Sequence, residues 1–260
     1  MVEIAGFRLG LERDERYYTR EENTETYEEK RYGSRGGQYI DRRNKEWVRE
    51  FFEEQGLEWA GERPLEDKEV LVSAGGTGRI ARYLEGAGAD VTCLDLSREM
   101  LSEGRGKGEG TISYVQGDAR DLPFEDDSFD YVVSMRSAHV IQEGLKDYME
   151  EMGRVSEEGV LMDTFSTPSL RSIYNPLLTM DSTLYSDVEV ESLVEDSEVV
   201  DIDSKNEEFV LPYAAFLISG NISVFDPLVE PLASLNRMLE SRDLTDRFSS
   251  VTVWELDPVD

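Results

Sequence analysis

Disulfide bonding within the chain is excluded, because Cys93 is its only cysteine in 260 residues. A single thiol agrees with a reducing compartment, and at the centre of an apolar run it reads as a packed core residue. His139 is the only histidine, so histidine-rich metal spacing and a Ser-His-Asp constellation have little to be built from. No apolar run approaches the roughly 18 residues of a membrane span, and no charged-then-apolar leader opens the chain. The expectation is a soluble, cytoplasmic protein that does not enter a membrane. No Gly-Lys-[Ser/Thr] phosphate loop, internal repeat or low-complexity tract is present. Lysine is scarce as well, 6 residues among the 27 Lys and Arg.

Acid, by contrast, is abundant. The 57 Asp and Glu set the formal charge at -30, and such a surface repels itself in dilute buffer. Near molar salt the Debye length falls to about 3 Å and the repulsion is screened. Acid excess with few lysines resembles the proteins of salt-accumulating halophiles, haloarchaea in particular. The acids are spread along the whole chain, so an acidic patch built for one cationic partner is not indicated. Hydrophobic content of 39% supports one sizeable domain, or a domain with an appendage.

The chain is organised around Val70 to Asp95. Val70-Leu71-Val72 is a short apolar strand, Ala74-Gly75-Gly76-Thr77-Gly78 a turn, and Ile80, Ala81 and Leu84 recur at helical spacing. Val91 to Leu94 is a second strand, ending on Asp95. Glycines at a helix N-terminus let backbone approach a ligand, and a carboxylate at the next strand tip is suited to a ribose diol. Gly76, Gly78 and Ala81 also satisfy G-x-G-x-x-[GA], with Asp95 nineteen positions after Gly76. Spacing alone therefore leaves a dinucleotide fold and a nucleoside fold both open.

Downstream residues point to one of them. A third strand, Ile112 to Gln116, leads into Gly117-Asp118-Ala119-Arg120-Asp121-Leu122-Pro123-Phe124, and Ser128-Phe129-Asp130-Tyr131-Val132-Val133-Ser134 follows. With A-G-G-T-G-R and V-T-C-L-D-L-S-R-E-M-L before them, these runs make Val70 to Asp163 resemble the class I S-adenosylmethionine-dependent methyltransferases of the type 11 subgroup. The resemblance implies an α/β, Rossmann-like, seven-stranded and mostly parallel sheet with an antiparallel last strand. Helices lie on both faces, a helical cover precedes the sheet, and a helical insertion precedes the last strand. It further implies S-adenosyl-L-methionine as cofactor and a small-molecule methyl acceptor.

Site residues carry over one at a time. The resemblance implies that Ala74, Gly75, Gly76 and Gly78 lie against the methionine portion, that Asp95 takes both ribose hydroxyls, and that Leu96 and Met100 wall the adenine. Asp118 receives the adenine amino group, while the Ala119 amide faces a ring nitrogen. Ser134, Met135 and Arg136, at the carboxyl end of the fourth strand (Tyr131 to Met135), line the methyl-transfer pocket. His139 is a candidate general base, or a structural histidine, at the start of a helix running to Val155. Arg35 is either a clamp on the methionine carboxylate or a solvated arginine in a turn. Two positions depart from the family, with Val72 where an acid is usual and Ala74 where the first glycine is usual; Ser73 or a backbone carbonyl is the candidate substitute.

The remaining expectations concern organisation. Residues 1–26 are an irregular or partly disordered arm, and 27–67 a cover and connector with a helix from Arg42 to Gln55. Residues 68–260 are the methyltransferase domain, whose stretch from about 212 to 244 forms a lid contributing Tyr213. Ser97 is a good N-cap for a helix ending at Gly104, ahead of a glycine-rich loop to Gly110. Glu125-Asp126-Asp127 reads as a solvated loop, with no metal expected. Gly159 to Thr164 is the fifth strand, Asp187 to Glu195 is amphipathic, Glu198 to Ile202 and Glu207 to Leu211 are further strands, and Val251 to Leu256 is the last. The rival functions are a binding or regulatory module that has lost the reaction, and a nicotinamide-dependent oxidoreductase. RNA methylation is weaker still, since no basic patch interleaved with aromatics is visible.

Overall fold

A computed structural model describes residues 2–4, 7–9, 24–108, 110–141, 144–169, 172, 182–208, 230–231, 234–235, 238 and 251–259. Val2–Ile4 (β1) and Phe7–Leu9 (β2) pair antiparallel, where an irregular arm was expected. Then come helices α1 (Tyr27–Tyr32) and α2 (Arg35–Glu54). The sheet is built from β3 (Glu69–Val72), β4 (Asp90–Asp95), β5 (Ser113–Gln116), β6 (Phe129–Ser134), β7 (Ser156–Phe165), β8 (Val200–Glu208) and β9 (Val251–Pro258). Helices α3 (Arg79–Gly86), α4 (Arg98–Lys107), α5 (Leu145–Arg154) and α6 (Asp187–Glu195) connect them.

The order across the sheet is β5-β4-β3-β6-β7-β9-β8. Strands β3 to β7 are parallel, and β9 runs antiparallel to both β7 and β8. Central strands buried on both faces need apolar residues at successive positions, which β3 supplies with Val70, Leu71 and Val72. Because side chains alternate, Val70 and Val72 join one core with Phe51 and Phe52 of α2 and Leu84 of α3. Leu71 joins the other, with Tyr148 and Met152 of α5, Val194 of α6 and Trp254. Cys93 is fully buried in the first of these cores, and burial pushes its thiol up to about 12. The strand order reverses at β3, between β4 and β6, and a parallel sheet opens to ligands at such a point.

Several elements differ from their sequence-based boundaries. Helix α2 begins at Arg35 rather than Arg42, because Ser34 caps it by accepting from the Gly37 amide at 3.0 Å. The glycine pair conceals the helix start by low propensity. A Cβ on Gly37 would stand 2.4 Å from the Arg31 carbonyl oxygen, so glycine there permits the tight turn from α1. The helix expected from His139 to Val155 is a 3₁₀ turn at Ala138–Val140 followed by α5, with Gly144 at φ +88 as the break. The two runs expected at Glu198–Ile202 and Glu207–Leu211 fall, from Val200 to Glu208, on one strand, β8, with a register shift between Ile202 and Ser204. Its polar residues lie on a sheet edge, which hid the strand. The lid expected at 212–244 and its Tyr213 fall outside the described residues, five scattered positions apart.

Helix α4 continues through Gly104 and Gly106 to Lys107 instead of ending at Gly104, and its two internal glycines should respond oppositely to alanine. A Cβ on Gly104 would lie 2.8 Å from the Thr77 carbonyl oxygen and 2.9 Å from the Tyr114 ring, whereas Gly106 has nothing within 4 Å. Gly106→Ala is expected to stabilise by up to about 1 kcal/mol through helix propensity. Gly104→Ala forfeits that gain to overpacking, with a net loss of about 1–2 kcal/mol in urea titration.

The strand next to the far edge of the sheet holds an acid that sequence reading passed over. Glu255 on β9 is 3% exposed, and burial pushes its carboxyl from 4.5 up to about 7, with the nearby Glu54 and Asp203 carboxylates adding to the rise. Between those two values the folded state binds more protons than the unfolded, so stability falls as pH rises across that window. Glu255→Gln is expected to raise the melting temperature at pH 8 and to leave it nearly unchanged at pH 5.

Candidate functional site

At the carboxyl edge of β3, β4 and β6 lies a crevice that is partly open to solvent. Among its lining residues are Tyr27, Ala74, Gly76, Asp95, Leu96, Ser97, Met100, Asp118, Ala119, Arg120, Arg136, Ser137, Val140 and Ile141.

Its floor is the turn after β3. Ala74, Gly76 and Gly78 have φ of +50, +59 and +74, the left-handed region that glycine enters freely and alanine does not. Gly75 donates to the Leu94 carbonyl at 2.9 Å, and Gly78 to the Gly75 carbonyl at 3.0 Å. A Cβ on Gly75 would meet Cys93 Sγ at 2.6 Å, and one on Gly78 the Tyr114 hydroxyl at 2.7 Å. Those two glycines therefore serve close packing beneath the crevice. Gly76 has open space where a side chain would stand, so it leaves room for a ligand. Val72 and Ser73 are buried in the sheet, and neither side chain takes the place of an acid on the crevice wall.

Asp95, at the tip of β4, is held on both oxygens. Oδ2 accepts from the Gly76 amide at 2.7 Å and Oδ1 from the Ser97 amide at 2.8 Å. Burial pushes its carboxyl up, and the two amide bonds partly offset the rise. Ser97 caps α4 by accepting from the Met100 amide at 3.1 Å. Asp95 is thus tied to the turn while each oxygen keeps a lone pair for a ligand hydroxyl. Leu96 is 42% exposed beside it.

Asp118, following β5, faces the same crevice. Its Oδ1 accepts from the Arg120 amide and Nε, both at 3.0 Å, and its Oδ2 from Arg120 Nη2 at 2.8 Å. These bonds hold the carboxyl below its usual range. The Arg120 partner was not foreseen, and it leaves Asp118 fewer free acceptors than a bare strand-tip acid.

Beyond β6 the wall is Arg136, with φ +65, and Ser137. Asp163 of β7 accepts from the Arg136 backbone amide and from its Nη1 at 3.2 Å, and the guanidinium lies 4.4 Å above the Phe165 ring. Ser134 stands behind this wall rather than on it, a correction to its expected place. Its Oγ donates to the Ser73 carbonyl at 2.7 Å and meets the Ser137 and Tyr148 hydroxyls. Burial pushes the Tyr148 phenol up to about 12, so this cluster is a neutral prop. Met135 also packs inward, in the core shared with α2. His139 is 5% exposed, its ring 4.4 Å from that of Phe165, behind the lining residues Ser137 and Val140. Arg35 is an exposed residue in the first turn of α2 and is not on the lining. The cover helix reaches the crevice through Tyr27 instead. Sequence reading missed Tyr27, Arg120, Ser137 and Asp163; nothing local marks Asp163, whose partner Arg136 lies 27 residues away. Among the described residues, no three His, Cys, Asp or Glu side chains converge as metal ligands, and no helix is long and apolar enough to cross a membrane.

Residues 71–162 match a family model described as a methyltransferase domain. The demethylmenaquinone methyltransferase of Clavibacter sepedonicus is 35% identical over 135 residues, covering 50% of this chain and 53% of that protein. The ubiquinone/menaquinone biosynthesis C-methyltransferase UbiE of Paracoccus denitrificans is 40% identical over 111 residues, covering 40% and 43%. The chain spans about half the length of the curated relatives it matches. Magnesium protoporphyrin IX methyltransferase from Synechocystis, solved with SAH bound, superposes with a TM-score of 0.55 at 13% identity over 86% of this chain and 84% of that one. The fold is therefore the Rossmann-like fold of the methyltransferases.

Proposed function

We propose that the chain binds S-adenosyl-L-methionine in this crevice and catalyses transfer of its methyl group to a small molecule. The observation that carries the reading is the Asp95 carboxylate, bonded to the Gly76 and Ser97 amides across a turn that leaves Gly76 open. When bound, the cofactor supplies a methyl group already activated by the positive sulfonium centre. The chain has then to orient, exclude water and hold the acceptor in line.

Asp95 accepts from the ribose hydroxyls with its remaining lone pairs. Leu96, Met100 and Ile141 enclose the purine, and Asp118 accepts from its amino group beside the Ala119 amide. The turn from Ala74 to Gly78 leaves backbone against the methionine portion, which takes no clamp from Arg35. Arg136 and Ser137 face the acceptor, where a guanidinium braced by Asp163 favours an oxygen bearing negative charge. The names of the two curated relatives, a demethylmenaquinone methyltransferase and a ubiquinone/menaquinone biosynthesis C-methyltransferase, support a carbon of a quinone precursor as the methylated atom. Residues 27–67 act as the cover. The charge of -30 supports a halophilic, haloarchaeal-like cytoplasm as the working solvent.

Titration calorimetry with S-adenosylmethionine and S-adenosylhomocysteine in about 2 M KCl, a range where charge repulsion is screened, tests binding. Release of S-adenosylhomocysteine over a panel of demethylated quinols and phenols tests transfer. Binding without turnover on any acceptor favours the second reading, a regulatory module, which the Val72 and Ala74 departures support. Absence of heat with either ligand removes both.

A further inference from the structure

The cover and the glycine turn are joined by one carboxylate. Glu28, in the first turn of α1, directs Oε1 at three donors: Thr77 Oγ1 at 2.5 Å, Arg82 Nη2 at 2.7 Å and Lys107 Nζ at 3.4 Å. They come from the turn, from α3 and from the end of α4. Thr77 is 2% exposed, and its carbonyl accepts from Arg82 Nη1 at 2.6 Å, so Arg82 grips Glu28 and the turn together. The residue before Glu28 is Tyr27, the one part of the cover on the crevice lining. The residue before Thr77 is Gly76, whose amide donates to Asp95.

We propose that Glu28 is a positioning residue that sets cofactor affinity by fixing Tyr27 on the crevice wall and Gly76 under Asp95 at the same time. This rests on the reading of the crevice as the S-adenosylmethionine site. Arg43 pairs with Glu46 and Glu50 along α2 itself, and Asp41 joins Lys45 to Arg79, the first residue of α3. Burial raises the Glu28 carboxyl, but the Thr77 and Arg82 hydrogen bonds outweigh it and leave the group below its usual range. It is ionised at neutral pH, and its three donors face a full charge.

Two measurements on the full chain test the proposal. In the ligand-free protein, Glu28→Gln should speed hydrogen exchange of the amides at 74–78, while Arg43→Gln should not. In calorimetry with S-adenosylhomocysteine, Glu28→Gln should weaken binding about tenfold, which corresponds to about 1.4 kcal/mol, and Arg43→Gln should leave it unchanged. In a Tyr27→Ala background the further loss from Glu28→Gln should shrink, because contacting residues that act as a unit are not additive. Equal affinity of Glu28→Gln and the native chain, full additivity with Tyr27→Ala, or unaltered exchange at 74–78 overturns it. A native chain that gives no heat, while exchange still responds to Glu28→Gln, leaves the positioning role standing and removes the cofactor assignment instead.

Discussion

Asp95→Ala is expected to lower affinity for S-adenosylhomocysteine by roughly two to four orders of magnitude, read by calorimetry in high salt. A hydrogen bond to a charged group contributes about 1.5–3 kcal/mol and two ribose hydroxyls are lost, with each 1.4 kcal/mol worth about tenfold. The substitution also strips the Gly76 and Ser97 amides of their acceptor, so the turn proposed to hold the methionine portion loosens. A half-buried amide left without a partner costs about 1–3 kcal/mol, and the fold should lose stability on that scale without unfolding. Asp95→Asn separates the two effects. One amide oxygen can serve only one of the two donors, while the new NH₂ faces the other, so affinity should stay low although volume is kept. Because burial pushes the Asp95 carboxyl up, binding should begin to fall on acidification at a higher pH than an ordinary aspartate would give. Asp95→Ala binding as tightly as the native chain would show that the sugar is held elsewhere.

The second large effect is on stability. Asp163 and Arg136 side chains are 1% and 4% exposed, and Asp163 also accepts from the Arg136 backbone amide, which lies at φ +65. Asp163→Ala leaves a buried guanidinium beside Phe165 with its paired carboxylate gone, a change worth about 3–5 kcal/mol. At roughly 2–4 °C per kcal/mol for a chain near this size, the melting temperature should fall on the order of 10 °C. Substituting both partners with Leu and Met should recover part of that loss, because no charge is then stranded. It should not recover all of it, since the Arg136 amide still lacks its acceptor. An Asp163→Ala midpoint within a degree of the native one would mean that the pair is solvated and contributes little.

What could be read from the chain follows its locality. The strand–turn–helix at Val70 to Leu84, Asp95 at the next strand tip and Gly117-Asp118 after the third are each encoded within a few residues, by period, turn chemistry and strand ends. The parallel sheet with its antiparallel β9 is what the resemblance carried by those motifs implied. Boundaries were lost where one residue type served two ends. Gly36, Gly37 and Gly104 read as breaks, yet each lies inside a helix. At Gly37 and Gly104 the reason is a neighbouring backbone too near for a Cβ. His139 and Ser134 had the right chain position for the crevice and the wrong side of its wall, because the 3₁₀ turn at Ala138–Val140 faces Ser137 and Val140 outward instead.

Sequence pattern by itself determined the strand–turn–helix unit at Val70 to Leu84 and the two strand-tip acids, since these depend on period and on residues adjacent in the chain. Tertiary structure alone decided that Tyr27 rather than Arg35 meets the crevice, that Asp118 is shared with Arg120, that Asp163 braces Arg136 and that Glu28 ties the cover to the turn. Each of these is an interaction whose geometry only folding sets, mostly between groups far apart in sequence, and a hydrogen bond or ion pair exists only where folding brings donor and acceptor within about 3 Å.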